Sequence, residues 1–325
     1  MARLAKPITQ KLQPAAIVGV GNCGSTLAWA LHDAGFPVAE LIVHRAPTAE
    51  QKKLARDLGA KLVHFQDWRE SAADVVWICV GDDAIADTAE QISTRFQKLR
   101  MPHSKDAISA SLEPALSLPK GWGARIPQVF LHTSAGRSFN ALSPLKKLGA
   151  AIGSAHPARS FPAPMRVSLA GTYFAIEGDA AARKAASAMV KRMAGIGFLL
   201  RTNDKAMYHA CCVLSSGLLV AHMAAAEAMA AAAGVPKSVA PRLIAKLAGG
   251  SFGNWQQRGA AKSFTGPAAR GNIETVRAQL ASVNAMPELD AIYRSLTEFG
   301  VRRLPAQKRA EMLALLGDKP TAGKR

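Results

Sequence analysis

His132, His156 and Tyr208 are the side chains best placed by type and position to hand over a proton. Each closes or follows a short apolar run, and a histidine there can donate near neutral pH. Ser134 follows His132 and His209 follows Tyr208, so both are candidates for contact with a small substrate. Adjacent residues on a helix point about 100° apart, so Tyr208 and His209 cannot both face one cleft squarely. Thr265-Gly266-Pro267 with Arg270 reads as a tight loop before a helix N-terminus, a seat for a carboxylate or phosphate. Structural readings compete at each position: a turn-satisfying histidine, a buried tyrosine, a rigid interhelix turn.

The chemistry these groups would serve is set further upstream. Ala15-Ala16-Ile17-Val18-Gly19-Val20-Gly21-Asn22-Cys23-Gly24 is a buried strand running into G-x-G-x-x-G and then an alanine-rich helix. Gly19 permits the tight turn, Gly21 lets backbone approach a pyrophosphate, and Gly24 lets helix pack close to strand. The helix start, Val20 to Gly24, offers free N–H groups and a positive dipole end. The next strand ends Val43-His44-Arg45-Ala46-Pro47-Thr48, with no carboxylate to hold a ribose diol. Arg45 and Thr48, with His44 beside them, suit a 2′-phosphate, so NADP is expected rather than NAD. The alternative for Arg45 is a solvated surface cation. A third strand ends Cys79-Val80-Gly81-Asp82-Asp83, so Val80, Gly81 and Asp82 should border the cofactor, as should Thr133 one strand further on. Asp82 or Asp83 is expected to cap the helix after it, and Cys79 to be a buried small hydrophobe. Hydride transfer asks the chain for orientation and a nearby proton.

The elements that must position these residues alternate. Strands are expected over 15–21, 38–45, 61–66, 74–81 and 128–136, with helices over 23–35, 48–59 and 83–99. That order implies a parallel sheet with right-handed crossovers. Residues 101–127, rich in proline, serine and glycine, read as a surface insertion or lid. Further strands are expected over 151–156, 172–178 and 198–201, with a helix over 180–194. From Asp204 the pattern is helical almost to the end. The division expected is a basic tail 1–14, a dinucleotide-binding domain 15–178, a helical substrate and dimerisation domain 179–317, and a basic tail 318–325. Residues 206–235 form one long apolar stretch built from alanine, carrying His209, His222 and Glu227. Alanine has weak lipid affinity, so the stretch reads as a helix covered by other protein, at a subunit contact that would make a homodimer, and not as a membrane span. Asn272 is expected to cap a later helix.

Several segments resemble a family of two-domain proteins with an N-terminal Rossmann-like domain and a C-terminal helical domain of unknown function. They are His132-Thr133-Ser134-Ala135-Gly136, Gly153-Ser154-Ala155-His156-Pro157 with Ser160-Phe161, Tyr208-His209, and Thr265-Gly266-Pro267-Ala268-Ala269-Arg270-Gly271-Asn272. More distantly the chain is similar to pyrroline-5-carboxylate reductase, ketopantoate reductase and the deazaflavin-dependent NADP reductases. The resemblance implies a doubly wound α/β domain followed by an all-α domain of the 6-phosphogluconate dehydrogenase C-terminal type, and an NADP-linked oxidoreductase. Gly217 stands where an asparagine is expected after the Tyr-His helix, and Asn272 where an aspartate is expected.

Composition narrows the alternatives. The chain has 325 residues, 49% of them hydrophobic and 20% charged, which excludes a disordered polyelectrolyte; its net charge is +18. The charge fits an anionic small ligand. It fits nucleic acid poorly, because the basic residues are scattered and aromatics are only 6%. The four cysteines, Cys23, Cys79, Cys211 and Cys212, form no CxxC pair, so a reducing, cytoplasmic setting without disulfides or a metal site is expected. His32, His64 and His103 read as structural or solvated. The leading expectation is an NADP-dependent reductase of a small, anionic carbonyl or imine compound. The competing ones are a non-catalytic NADP sensor and a basic nucleic-acid-binding protein.

Overall fold

In the computed structural model, residues 12–100 and 126–317 are described. Most of the expected insertion, 101–125, lies outside the described residues with His103, and so do residues 1–11 and 318–325 of the expected tails. The chain divides into two compact units, Met1–Val213 and Leu214–Arg325.

The first unit is a sheet of eight strands: β1 (Ala15–Val18), β2 (Val38–Val43), β3 (Lys61–His64), β4 (Val75–Ile78), β5 (Val129–His132), β6 (Ala151–Pro157), β7 (Tyr173–Gly178) and β8 (Ile196–Leu199). Their order is β3-β2-β1-β4-β5-β6-β7-β8. The first six run parallel, β7 is antiparallel to β6, and β8 follows β7 in parallel. The 3-2-1-4-5-6 part is the doubly wound order of a Rossmann fold, whose direction of winding switches between β1 and β4. Helices α1 (Asn22–Asp33), α2 (Ala49–Leu58) and α3 (Ile85–Arg100) make the crossovers, α4 (Ala180–Arg192) links β7 to β8, and α5 (Lys205–Leu214) ends the unit.

The sequence dictates this layering. β1 is apolar throughout because both its faces are covered. Ala15 and Ile17 pack with Leu27, Leu31, Leu54 and Ala182, from α1, α2 and α4. Ala16 and Val18 turn to the other face, toward Ile85, Ile92 and Phe96 of α3 and Leu142 and Leu145 of a 3-10 segment. Strand β8 differs: all four of its residues are exposed, at the edge of the sheet. The boundary expected after residue 178 falls inside this unit, because α4 packs on β5, β6 and β7.

Among the described residues the second unit is helical: α6 (Gly217–Ala232), α7 (Ala240–Arg258), the single turn α8 (Ala260–Ser263), α9 (Ile273–Val283), α10 (Pro287–Arg303) and α11 (Arg309–Gly317). Its small core joins Val276 and Leu280 of α9 to Val301 of α10 and Met312 and Leu316 of α11. The long helix expected over 206–235 is broken: α5 ends at Leu214 and α6 starts at Gly217. Residues 202–232 are by length and apolar composition alone enough to cross a membrane, and few of them are buried within this chain. Asn272 precedes α9 as expected but makes no side-chain capping bond.

Candidate active site

The glycine loop is shaped from both sides. Gly19 has φ +92°, and a Cβ there would stand 2.9 Å from the Cys79 carbonyl at the end of β4. A Cβ on Gly24 would stand 2.1 Å from Gly19 O, so only glycine lets α1 close onto the loop. Gly21 is different: a Cβ there would meet nothing within 4 Å. Its freedom matters to what approaches from outside, and a cavity of about 590 Å³ bordered by Gly21, Trp29, Thr48 and Gln51 lies beside it. Helix α1 starts with Gly21 at its N-cap and no capping side chain, leaving its first N–H groups and dipole end for an anion.

Neighbouring side chains brace the loop. Asn22 Nδ2 donates to Phe161 O at 3.0 Å, and Met165 N donates to Thr26 Oγ1 at 3.2 Å, so the segment after β6 is strapped across α1. The Val20 carbonyl accepts from Gln51 Nε2 at 2.7 Å. Cys23 and Cys79 touch through their thiols, with the buried Thr133 beside them. The contact with Cys79 holds the Cys23 thiol below its usual range, and contact with Cys23 together with burial pushes the Cys79 thiol well up.

At the tip of β2, Arg45 is exposed and has no carboxylate partner among the described residues. Thr48 is engaged as the N-cap of α2: Gln51 N donates to its Oγ1 at 3.2 Å, and Thr48 N donates back to Gln51 Oε1 at 3.1 Å. His44 beside it is held differently. Its ring stacks on Phe65 with centroids 4.2 Å apart and planes 20° apart. Burial, then His64 and Arg95, lower its pKa, so near neutral pH it presents an uncharged flat ring and the charge is left to Arg45.

Val80, Gly81 and Asp82 follow β4 at the switch point. Neither aspartate caps a helix: Gly81 precedes the 3-10 turn there, with no side-chain capping bond. Asp83 instead pairs with Arg137. Gly136 explains where Asp82 goes. A Cβ on Gly136 would meet His209 Nδ1 at 2.7 Å and Asp82 Oδ2 at 3.5 Å, so this glycine makes room for both groups.

The structure separates the histidines. His132 is fully buried and both ring nitrogens are spent on backbone: Ser134 N donates to Nδ1 at 3.2 Å, and Nε2 lies 3.2 Å from Ser138 O. Burial, followed by the charge of Lys205, takes its pKa down to about 3. His132, expected as a candidate proton donor, is therefore buried and uncharged here, with both nitrogens engaged by backbone. Ser134 is likewise occupied, its Oγ accepting from Gly136 N at 3.1 Å and Arg137 N at 2.9 Å. His156 and Tyr208 are brought together, with Nδ1 to Oη at 2.8 Å. Phe198 packs edge-on against the Tyr208 ring. Burial first, then Lys205 and His209, lower the His156 pKa to about 4, while burial pushes the Tyr208 phenol up. Both groups are therefore uncharged near neutral pH.

Two residues that sequence reasoning misses lie directly behind this pair. Lys205 Nζ donates to Glu177 Oε1 at 2.7 Å and to Ser154 Oγ at 2.6 Å, and all three side chains are buried. A signal was present: Glu177 is a lone charge in the apolar run Phe174-Ala175-Ile176-Glu177 and needs a buried partner. Lys205 stands three residues before Tyr208, on the same side of α5.

Thr265, Gly266 and Arg270 belong to the second unit. Gly266 has φ +96° and its carbonyl accepts from Arg270 N at 3.1 Å, which is the tight turn expected before α9. Arg270 is exposed. Among the described residues no group of three His, Cys, Asp or Glu side chains is placed to hold a metal ion.

Residues 14–99 match the family model described as NADP oxidoreductase, coenzyme F420-dependent, and residues 172–299 match a domain of unknown function, DUF2520. Among solved structures, a Thermotoga maritima protein superposes with a TM-score of 0.64 at 18% identity, covering 92% of this chain and 98% of its own. A Bacteroides fragilis protein classed as an NADP oxidoreductase gives a TM-score of 0.62 at 18% identity, covering 88% and 97%. An imine reductase from Myxococcus stipitatus, in complex with NADP+, gives 0.59 at 14% identity, covering 94% and 100%. At these identities the likeness is one of fold. No curated protein matches the sequence.

Proposed function

We propose that the chain is an NADPH-dependent reductase of a small carbonyl or imine compound. One observation carries this reading. An open glycine loop and an uncapped helix N-terminus stand at the sheet's switch point, and the hydrogen-bonded His156–Tyr208 pair stands at and beside the end of a strand of the same sheet. The NADP-oxidoreductase match of residues 14–99 supports it. The backbone N–H groups of Gly21 to Gly24 would hold the pyrophosphate, and Arg45 the 2′-phosphate. Val80, Gly81 and Asp82 would line the path toward the ring end. The cofactor supplies the hydride when bound. Tyr208 supplies the proton: with His156 uncharged, a hydrogen on Nδ1 points at Tyr208 Oη, so the phenol hydrogen, which lies by Cys212, can turn to the substrate heteroatom. The ring can then relay a proton to the phenolate: Nδ1 gives its hydrogen to Oη as Nε2 takes one from solvent, so the imidazole ends neutral.

The reading extends to assembly and setting. In the second unit, Leu214 and, on α6, Leu218, Leu219 and Val220 are all exposed in the single chain, apolar side chains that a second copy would cover. All four cysteines are free, which suits a soluble protein in the reducing cytoplasm.

The test is direct. Titrating the protein with NADPH and following nicotinamide fluorescence should give saturable binding. A panel of cyclic imines and keto acids should then include a compound turned over with NADPH, and Tyr208→Phe should abolish that turnover while leaving NADPH binding intact. Absence of saturable NADPH binding would sink the reading. Binding without turnover of any imine or keto compound would favour a sensor.

A further inference from the structure

Lys205 and Glu177 are only 3% and 2% exposed, yet they form an ion pair of 2.7 Å inside the sheet domain. Taking two charges out of water costs several kcal/mol per ion in real proteins, and an apolar pair of the same volume is often as stable. Nor is the pair arranged for full satisfaction. Glu177 Oε1 accepts from both Lys205 Nζ and Phe139 N, while Oε2 is buried with no hydrogen-bond partner. A buried carboxylate oxygen left unpartnered beside a candidate active site calls for a reason other than stability.

The placement supplies that reason. Register puts His132 of β5, Ser154 of β6 and Glu177 of β7 in one cross-strand row. His156 lies two residues beyond Ser154 on β6, hence on the same face. Tyr208 lies three residues beyond Lys205 on α5, hence one turn along the same side. Two contacts therefore stack between the same strand and the same helix: Lys205 on Ser154, and Tyr208 on His156. The inner contact fixes the distance between α5 and β6 at which the outer one must form. It also sets a fixed cation behind the imidazole. The other ionisable groups around His156 are Tyr208 and His209 on α5 with Cys211 and Cys212 beside Tyr208, Asp82 after β4, the uncharged His132 on β5, and Glu177 on β7 behind Lys205. Of these Asp82 and Glu177 oppose Lys205.

We propose that Lys205 is a positioning residue: pinned by Glu177 and Ser154, it sets the proton state of the His156–Tyr208 pair without touching substrate. The chemistry it serves rests on the reductase reading, but its effect on His156 does not, so the two can fail separately. Removing the cation should let His156 take a proton at higher pH, and Glu177, if left alone, should add to that shift. His156→Gln would identify the His156 C2–H signal in proton NMR. In Lys205→Met, the midpoint of that signal should rise by about one unit or more. In the double variant Lys205→Met with Glu177→Leu, which leaves no buried charge, it should rise less. With NADPH and a cyclic imine, kcat should fall about tenfold or more in both, with the NADPH Kd unchanged, as for a misplaced general acid. A folded double variant whose His156 still titrates near the original midpoint would overturn the proposal. So would failure of both variants to fold, which would make the pair a structural requirement.

Discussion

The assignment of cofactor rests on Arg45, the one cation among the candidate cofactor contacts at the tip of β2. A hydrogen bond to a charged group contributes about 1.5–3 kcal/mol, so Arg45→Ala should weaken NADPH binding by roughly tenfold to a hundredfold. NADH, which lacks the 2′-phosphate, should bind equally well before and after the change. Equal losses for the two cofactors in fluorescence titrations would remove Arg45 from the phosphate site. The buried histidines carry a second prediction. Their folded pKa values, about 3 for His132 and about 4 for His156, lie below the usual 6.5. The unfolded chain therefore binds more protons between pH 6.5 and 4, and stability must rise with pH through that window and be fully present above it. Acidification from pH 7 to pH 5 should cost on the order of a few kcal/mol, read as a shift in the urea midpoint. His132→Asn should flatten part of that dependence if the variant stays folded. The residue scale is also where the sequence was least legible. It pointed to His156 and Tyr208, because a polar side chain at a strand end or in an apolar helix stands out. It could not tell His156 from His132, because what separates them is Ser138 O, a backbone acceptor six residues on from His132. Lys205 and Glu177 escaped notice because their pairing spans 28 residues and two elements.

At the scale of elements, the strand–turn–helix that begins the sheet domain was legible because each demand on it is local. Gly24 shows how strict one demand is: a methyl group there would stand 2.1 Å from Gly19 O. Either α1 must lift or the loop must open, and overpacking of that kind costs about 1–3 kcal/mol or more. Gly24→Ala should lower Tm by several degrees and remove NADPH binding together. A variant that kept full affinity would show that the loop tolerates a different entry of α1. Gly21→Ala separates the two effects. It meets no protein atom, so the fold should keep its Tm while the pyrophosphate loses its close approach. Where demands were not local, reading by periodicity went astray. The apolar stretch over 206–235 has no polar face to mark an interruption, so the break at residues 215 and 216 was invisible. The aspartates after β4 look like caps because aspartate is a common cap. The structure gives one to Arg137 and turns the other toward Gly136 and His209.

For the whole molecule, two domains followed from length and from the change to continuous helix, but their division did not. The sequence drew it where the β-rich pattern thins, near residue 178. The first compact unit continues through α4, β8 and α5 to Val213, because those elements complete the sheet domain. That continuation leaves an unusually apolar surface. Every residue of β8 is exposed at the sheet edge, and along α5 and α6 Met207 and Val220 are 77% and 70% exposed. An apolar edge strand invites pairing, and so does the exposed apolar face of a helix such as α6. If a second copy covers them, light scattering at micromolar concentration should give twice the chain mass of 34.3 kDa. The double substitution Leu218→Glu and Val220→Glu should then give a monomer, since two carboxylates against an apolar partner cost more than most interfaces can offset. The wild type appearing as a monomer would leave the long apolar stretch without a partner of its own kind. It would also reopen the question of what covers a segment that, by length and composition, is fit to cross a membrane.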